Sequence, residues 1–476
     1  MHVIHFAAEC YPVAKVGGLA DVLGALPKYQ QKAGIKASVI MPFYNKPFVQ
    51  THDFEPVYEG AIQQGDKLYP YTILREQADT LGFELLLVKI PQLLDRREVY
   101  SYADESEQFL AYQHAALDWL CTAKYRPDII HCHDHHAGLI PFYIEYAGQF
   151  SFLKGVPTVA TVHNGQYQGW MHWRMASLMP AFDTWSWGLL DWDGLINPLA
   201  ALIKCCWAYT TVSTGYLTEL YTKANGLESL FAAERAKSYG IVNGIDTEVW
   251  NQATDPMLPV NFNLTTVNKG KQGNKQAICK TYHLNDQLPL GVFIGRFALE
   301  KGADLLPNTL RYMLNKYAGQ VNFFVLGSGD ETIEQSLQAV LVDFPQHLGL
   351  YIGYNEELAH QIYAAADYLF MPSRVEPCGL NQLYAMRYGT VPVVHATGGL
   401  KDTVKDLNTA GGYGFLFDEA TEEGAIAGLE RVLLHWQEAD TKTWGQLRKF
   451  LMKLDFSWEK STEKYTELYK QKLINI

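Results

Sequence analysis

The side chains best placed for chemistry in this 476-residue chain are one carboxylate and a few cations that stand next to glycine. The carboxylate is Glu376, in Met371-Pro372-Ser373-Arg374-Val375-Glu376-Pro377-Cys378-Gly379-Leu380-Asn381-Gln382. The apolar run Tyr368-Leu369-Phe370-Met371 has the length of a strand and stops at Pro372 and Ser373. Gly379 closes the loop, and Leu380 to Tyr388 carries apolar residues at helical spacing. A strand that feeds a glycine-bearing loop and then a helix start gathers backbone N–H groups, a geometry that favours an anion and typically a phosphate. Val391 to Val394 reads as a second strand, followed by Thr397-Gly398-Gly399-Leu400. Two adjacent strand ends of this kind make the crevice in which open α/β sheets bind ligands. Alone, Glu376 would read as a loop carboxylate facing water; the flanking pattern weighs against that.

The cations follow the same logic. Leu290 to Ile294 is a strand ending at Gly295-Arg296, with Lys301-Gly302 just beyond. Two cations bracketing a strand-to-helix connection suit a diphosphate that must be neutralised in a cleft. Lys15-Val16-Gly17-Gly18-Leu19-Ala20-Asp21-Val22 sets a glycine pair at a helix start with a lysine ahead of it, able to hold a phosphate or a sugar hydroxyl. The formal charge is −12, from 39 Lys and Arg against 51 Asp and Glu. That balance makes each local cation informative and argues against a nucleic-acid or anionic-membrane partner. The 29 Tyr and 11 Trp serve core packing, or supply flat faces on which sugars stack.

The segment Asp128-Ile129-Ile130-His131-Cys132-His133-Asp134-His135-His136 has two readings. One is a metal site; the other is a buried strand whose end lines a polar cleft. Alternation sends His131, His133 and His135 to one face and Cys132, Asp134 and His136 to the other, which splits any ligand set. We therefore expect no metal. His163-Asn164 ends the strand Val159 to Val162 and reads as cleft lining. Asp191-Trp192-Asp193 has the D-x-D spacing that some nucleotide-sugar enzymes use for a divalent ion, but it lies in a Trp-rich loop and reads as structural.

These residues need strands and helices to carry them. The chain exceeds the ~250–300 residues at which single cores stop growing, so two domains are expected. Strands at Val3 to Ala8, Ala37 to Met41 and Gly82 to Val88 alternate with helical periodicity, as at Glu107 to Lys124, which predicts α/β domains with parallel, doubly wound sheets. The expected division is residues 1–245, then 246–456, with a C-terminal helix over 457–476 packing back onto the first domain. The Pro-bearing stretch Asp255 to Asn263 reads as the linker region, and the second domain is expected to open with a helix near Asn274 to Tyr282. Seven scattered cysteines without a CxxC fit reduced thiols. The N-terminus enters a strand at once and no run reaches the ~20 apolar residues of a membrane span, so the expectation is a cytoplasmic protein without a membrane partner.

Taken together, in order and along essentially the whole chain, the segments resemble bacterial glycogen synthases and plant starch synthases. The likeness rests on Lys15 to Val22, His133-Asp134 with His136-Ala137-Gly138, Val162-His163-Asn164 and Asn243-Gly244-Ile245-Asp246. It continues through Gly295-Arg296 with Lys301-Gly302, Glu376 to Leu380, and Thr397 to Val404. Related glycosyltransferases carry a second Glu where this chain has Tyr384, as the glycogen and starch synthases do. The resemblance implies the GT-B architecture, two Rossmann-like domains facing a deep cleft. It also implies retaining transfer of glucose from ADP-glucose to the 4-OH at the non-reducing end of an α-1,4-glucan, with no cofactor.

By position, the resemblance makes His163, Arg296, Lys301 and Glu376 the catalytic set. Arg296 and Lys301 would hold the diphosphate and Glu376 the glucose 3-OH. His163 would lie by the glucosyl carbon, its carbonyl and Asn243 steadying an oxocarbenium-like transition state. Lys15, the Gly17 and Gly18 amides, and those of Leu380 and Asn381 would add to the phosphate site, with Asp21 fixing the Lys15 loop. Tyr354 would stack on the base. Asp134, Asn164, Cys378, Gly379, Thr397, Gly398 and Gly399 complete the substrate-binding set. His135 stands where the family has an aromatic residue, Asn381 where it has a Thr that meets a phosphate, and Gly165 and Gln166 also differ. Donor preference is thereby open between ADP-glucose and UDP-glucose. A non-catalytic glucan-binding protein is a second reading, weakened by the intact Lys15, Arg296, Lys301 and Glu376. A phosphorylase or epimerase is a third, and no segment resembles a pyridoxal-phosphate lysine site.

Overall fold

The computed structural model describes residues 1–474. They form two compact units, Met1–Gly244 together with the C-terminal helix Trp458–Ile474, and Ile245–Ser457. Of the helix expected over 457–476, residues 475 and 476 lie outside the described part.

In chain order the strands of the first unit are β1 (His2–Phe6), β2 (Lys36–Pro42), β3 (Phe54–Gln64), β4 (Lys67–Glu76), β5 (Glu84–Lys89), β6 (Ile129–His133) and β7 (Thr158–Val162). They continue as β8 (Asp191–Trp192), β9 (Leu195–Ile196), β10 (Ala208–Thr211) and β11 (Ser238–Gly240). The main sheet runs β11-β10-β7-β6-β1-β2-β5-β4-β3. Strand order reverses at β1, between β2 on one side and β6 on the other, so the switch point lies where β1 and β6 end. From β11 to β5 every pairing is parallel. The edge departs from the expected parallel pattern: β3 and β4 form an antiparallel hairpin, and β4 runs antiparallel to β5. Its sequence, with Pro56, Gly60 and scattered charge, has none of the continuous apolar character of a doubly covered parallel strand. In β1 and β6 that character is clear, and Val3, Ile4, Phe6, Ile129 and Ile130 are fully buried. His5, His131 and His133 are fully buried in the same two strands and so must find polar partners inside. The C-terminal helix closes this face, its Trp458, Tyr465, Leu468 and Tyr469 sharing one core with Leu23, Leu26 and Tyr29 of the helix Gly18–Lys32.

The second unit holds β12 (Leu290–Ile294), β13 (Asn322–Gly327), β14 (Leu348–Ile352), β15 (Tyr368–Met371), β16 (Val391–His395) and β17 (Phe415–Phe417). All are parallel, in the order β14-β13-β12-β15-β16-β17, with the switch point between β12 and β15. The stretch Asp255 to Asn263 is not a linker. Leu258 and Phe262 lie in this unit's core, and Asp255 Oδ2 accepts from His360 Nδ1 at 2.7 Å and Tyr388 OH at 2.5 Å. The first helix also begins earlier than its sequence suggests, at Val267 rather than near Asn274. Two glycines mask it locally, yet a Cβ at Gly270 would meet Phe262 Cβ at 2.2 Å. The poor helix former is required by the packing. No described helix is long and apolar enough to cross a membrane.

One buried charge ties the second unit together. Asp367, just before β15, lies 2.6 Å from Lys275 and 2.6 Å from Arg448, and its Oδ2 also accepts from Leu290 N. Burial pushes its carboxyl up, and the two cations overcome this to leave it below the ordinary carboxylate range. Asp367→Ala should therefore cost about 3–5 kcal/mol of unfolding free energy, because two buried cations are left without their counter-charge. Chemical denaturation checks this, and a loss below about 1 kcal/mol would show the cluster to be dispensable.

Candidate functional site

In the second unit the candidate residues come from the carboxyl ends of the strands. After β12 the chain passes Gly295 and Arg296 into the short turn Leu299–Lys301. Arg296 is paired with Glu300, its side chain 63% exposed. Lys301 Nζ lies 2.8 Å from each oxygen of Glu376, and Ser373 Oγ donates to Glu376 Oε2 at 3.0 Å. This approach depends on Gly302, which adopts φ +65° and where a Cβ would sit 2.1 Å from the Pro372 carbonyl oxygen. Only glycine meets both demands. The end of β16 joins the same group, with Gly399 N donating to the Glu376 carbonyl at 3.0 Å and Thr397, Gly398 and Cys378 beside it. Gly379 takes φ +72° and starts the helix Asn381–Arg387. Asn381 Nδ2 donates to the Ile294 carbonyl at 2.7 Å, which commits one amide hydrogen to the β12 end. Tyr354, after β14, is 72% exposed and its hydroxyl is held by Glu356.

In the first unit Lys15 Nζ lies 2.7 Å from Asp21. The Gly17 amide, expected to face a phosphate, donates instead to Glu9 Oε2 at 2.9 Å, beside Val16 N at 2.5 Å. Glu9 was not singled out from the sequence. It is 3% exposed, and its Oε1 accepts from Tyr100 OH at 2.6 Å. A buried carboxylate directly after an apolar strand was the available signal. Gly18 opens the helix Gly18–Lys32, and a Cβ there or at Gly17 would meet nothing within 4 Å. At the end of β6, Asp134 takes φ +57°, an uncommon conformation of the kind found at functional strand ends. Its Oδ1 accepts from the His163 backbone N–H at 2.7 Å, and burial pushes its carboxyl up to about 7. Asn164 Oδ1 accepts from Gln166 N at 3.1 Å. Asn243 is 5% exposed and its Oδ1 has no partner among the described residues.

The histidine segment is partly reassigned. His131 and His133 share a face as alternation requires, but the third ring with them is His5 of β1 rather than His135. The chain leaves the strand after His133, so His135 turns into the short 3-10 helix His135–Ala137, its ring centre 3.7 Å from that of His136 in a tilted contact. His5, His131 and His133 place one nitrogen each within 4.8 Å of one another, close enough to hold a metal ion. Each of their ring nitrogens already has a protein partner. His5 contacts His133 at 3.0 Å and Gln30 at 2.7 Å, while His131 contacts Tyr469 and Thr161, both at 2.7 Å. The other nitrogen of His133 meets His163 Nε2 at 3.0 Å. Asp191-Trp192-Asp193 is the start of the β8–β9 hairpin. Asp191 accepts from Trp173 Nε1 at 2.7 Å, and Asp193 turns at φ +53°.

Burial depresses all four rings. His5 falls to about 4 and His163 to about 3, and His131 and His133 lie well below the ordinary range. An unfolded histidine titrates near 6.5, so as pH falls below that value the unfolded chain binds protons that the folded chain refuses. Stability is complete above this window and is lost as pH drops toward about 4. Scanning calorimetry from about pH 7 to about pH 5 should show a falling Tm with proton uptake on unfolding; absence of uptake would mean that the folded rings are charged.

Likeness to known proteins extends over both units. The family model for the starch synthase catalytic domain matches residues 2–233, and that for glycosyl transferases group 1 matches residues 274–445. A glycogen synthase from Flavobacterium johnsoniae is 46% identical over 469 residues, covering 98% of either chain. One from Kosmotoga olearia is 36% identical over 481 residues, covering 99% of this chain and 98% of that one. The catalytic domain of starch synthase IV from Arabidopsis thaliana superposes with a TM-score of 0.89 at 32% identity over 99% of both chains. Sucrose-phosphate synthase from Thermosynechococcus elongatus, at TM-score 0.62 and 17% identity, shares the fold. With relatives this similar along its length and two parallel α/β sheets ending in these loops, the chain belongs to the glycogen and starch synthase family of GT-B glycosyltransferases.

Proposed function

We propose that the chain transfers glucose, with retention, from ADP-glucose to the 4-OH at the non-reducing end of an α-1,4-glucan. The observation that carries this reading is the Lys301–Glu376 pair, held by the ends of β12, β15 and β16 at a sheet switch point. Departure of a nucleoside diphosphate builds negative charge on its distal phosphate. Lys301 and the exposed Arg296 are cations in place to meet that charge as it develops, which lowers the barrier rather than only tightening binding. In this role Lys301 divides its hydrogens between phosphate and Glu376, and the Glu376 carboxylate accepts from a sugar hydroxyl. Amides of Leu380 and Asn381, and the loop of Thr397, Gly398 and Gly399, complete the diphosphate site, with Cys378 and Gly379 shaping its wall. Tyr354 offers its exposed ring to the base.

From the first unit, Lys15 supplies a further cation, with Asp21 holding it and Glu9 fixing the Gly17-Gly18 loop. His163, Asn164, Asn243 and Asp134 serve the sugar. Asp134 is tied to the backbone N–H groups of both His163 and Asn164, and the second, in one peptide plane with the His163 carbonyl, sets that carbonyl's direction. The buried Asn243 Oδ1, without a partner among the described residues, is an acceptor left for a ligand donor. Family relatives support the donor assignment in part, since the Arabidopsis starch synthase domain was solved with ADP and acarbose.

Replacing Lys301 or Arg296 with Ala should lower kcat about 10²–10³-fold, or ~2–4 kcal/mol, with little effect on glucan binding. Glu376→Gln should lower kcat without lowering Tm, and its effect should not add to that of Lys301→Ala, because the two groups share one contact. Steady-state kinetics with labelled ADP-glucose test this; losses under about tenfold for both cations would remove them from the reaction. Side-by-side kcat/KM values should favour ADP-glucose over UDP-glucose, and equal use of both would refute the donor assignment.

A further inference from the structure

Eight polar side chains of the first unit form two connected rows that meet at Gln30. One row runs from Gln30 Oε1 to His5 Nε2 (2.7 Å), from His5 Nδ1 to His133 Nε2 (3.0 Å), and from His133 Nδ1 to His163 Nε2 (3.0 Å). The other runs from Gln30 Nε2 to Tyr469 OH (3.1 Å), on to His131 Nδ1 (2.7 Å), and from His131 Nε2 to Thr161 Oγ1 (2.7 Å). Thr161 Oγ1 then meets Thr210 Oγ1 at 2.6 Å, and Thr210 donates to the Ala160 carbonyl at 3.2 Å.

The Thr210 hydroxyl is placed to donate to the Ala160 carbonyl, and the Gln30 amide nitrogen to donate to Tyr469. Given those two donors, counting hydrogens sets the rest, so Thr161 donates to Thr210. Thr161 then accepts from His131, which places that ring's hydrogen on Nε2 and leaves Nδ1 as an acceptor for Tyr469. Tyr469, having donated, accepts from the Gln30 amide nitrogen. The Gln30 oxygen therefore faces His5, whose hydrogen must be on Nε2. His5 Nδ1 accepts from His133 Nε2–H, and His133 Nδ1 accepts from His163 Nε2–H. An imidazolium at His5 or His133 would set two N–H groups against each other, and one at His131 would set an N–H against the Tyr469 hydroxyl; at His163 burial disfavours the charged ring.

We infer that this relay holds His163 as the neutral Nε2–H tautomer, and that Gln30, Tyr469, His131, His5 and His133 are its positioning residues. The consequence rests on the proposed place of His163 at the transferred sugar. There its Nδ1, which has no partner among the described residues, is a fixed hydrogen-bond acceptor for a sugar hydroxyl. The ring can neither lend a proton nor place a positive charge beside an oxocarbenium-like centre. No bond forms or breaks in the relay. The C-terminal helix thus reaches His163 through the hydroxyl of Tyr469.

The test is nitrogen NMR of the full chain labelled with 15N-histidine, without substrate, near neutral pH. All four rings should be neutral Nε2–H tautomers; an Nδ1–H form or an imidazolium at His5, His131, His133 or His163 would overturn the relay. Gln30→Glu gives a sharper readout. Its carboxylate accepts from both His5 and Tyr469, so the Thr161 and Thr210 hydroxyls should reverse and His131 alone switch to Nδ1–H while the other three keep Nε2–H, and a switch of all or of none would also overturn the relay. Tyr469→Phe frees the Gln30 amide to turn, so His163 should show both tautomers and kcat should fall roughly three- to tenfold, the weight of one hydrogen bond, with KM little changed. Mixed tautomers with unchanged kcat would uphold the relay and overturn instead the placement of His163 at the sugar.

Discussion

The contact of Lys301 with both oxygens of Glu376 is the constraint on which the second unit's site depends. Taking a carboxylate and an ammonium out of water costs several kcal/mol per ion, and their attraction offsets this only in good geometry with the other lone pairs satisfied. The Glu376 side chain is 8% exposed, and Ser373 supplies the additional donor. Keeping the pair requires the turn after β12 to lie hard against the end of β15. Gly302 permits the approach, and the Arg374 and Val375 amides both donate to the Glu300 carbonyl to hold it. Arg374 adds a fork onto Asp304, at 2.5 and 2.8 Å. Charge arranged in advance by the backbone need not reorganise when a leaving group becomes more negative, and that is the condition for electrostatic catalysis.

The first unit handles its buried polar groups differently. His5, His131, His133 and His163 are kept neutral by burial and are joined by hydrogen bonds rather than by ion pairs. A neutral network avoids the desolvation cost of charge, but it stays favourable only if every member is satisfied. That requirement links β1, β6, β7, β10, the helix Gly18–Lys32 and the C-terminal helix in one set of donors and acceptors. One unit therefore holds its buried polar groups as a charged pair and the other as a neutral network.

Much of this was legible in the residues themselves. Parallel strands buried on both faces read as continuous apolar runs, so β1, β2, β5, β6, β7, β12, β15 and β16 could be placed, and glycine at several of their ends marked the loops. Ordered short segments such as Lys15 to Val22 and Glu376 to Leu380 carried the family, because backbone shape and side-chain chemistry are both written locally there. Signals failed where local preference and tertiary need disagree. Gly270 hid a helix start that Phe262 requires, and prolines suggested a linker where Asp255, Leu258 and Phe262 enter a core. The hairpin of β3 and β4 carries too little apolar pattern to declare itself.

Glycine and strand pattern were enough to determine two α/β domains, while the likeness of ordered short segments carried the family and the residues offered at the strand ends. Which of those groups face a ligand and which are spent on the protein was decided only in three dimensions. Glu9 claims the Gly17 amide, Asn381 gives a hydrogen to Ile294, and His5 rather than His135 joins His131 and His133. Tyr469 meets His131 across 338 positions of sequence. The reason is physical: an amide or an imidazole nitrogen takes whichever partner the fold brings within about 3 Å, and that proximity depends on how distant segments pack rather than on their local sequence.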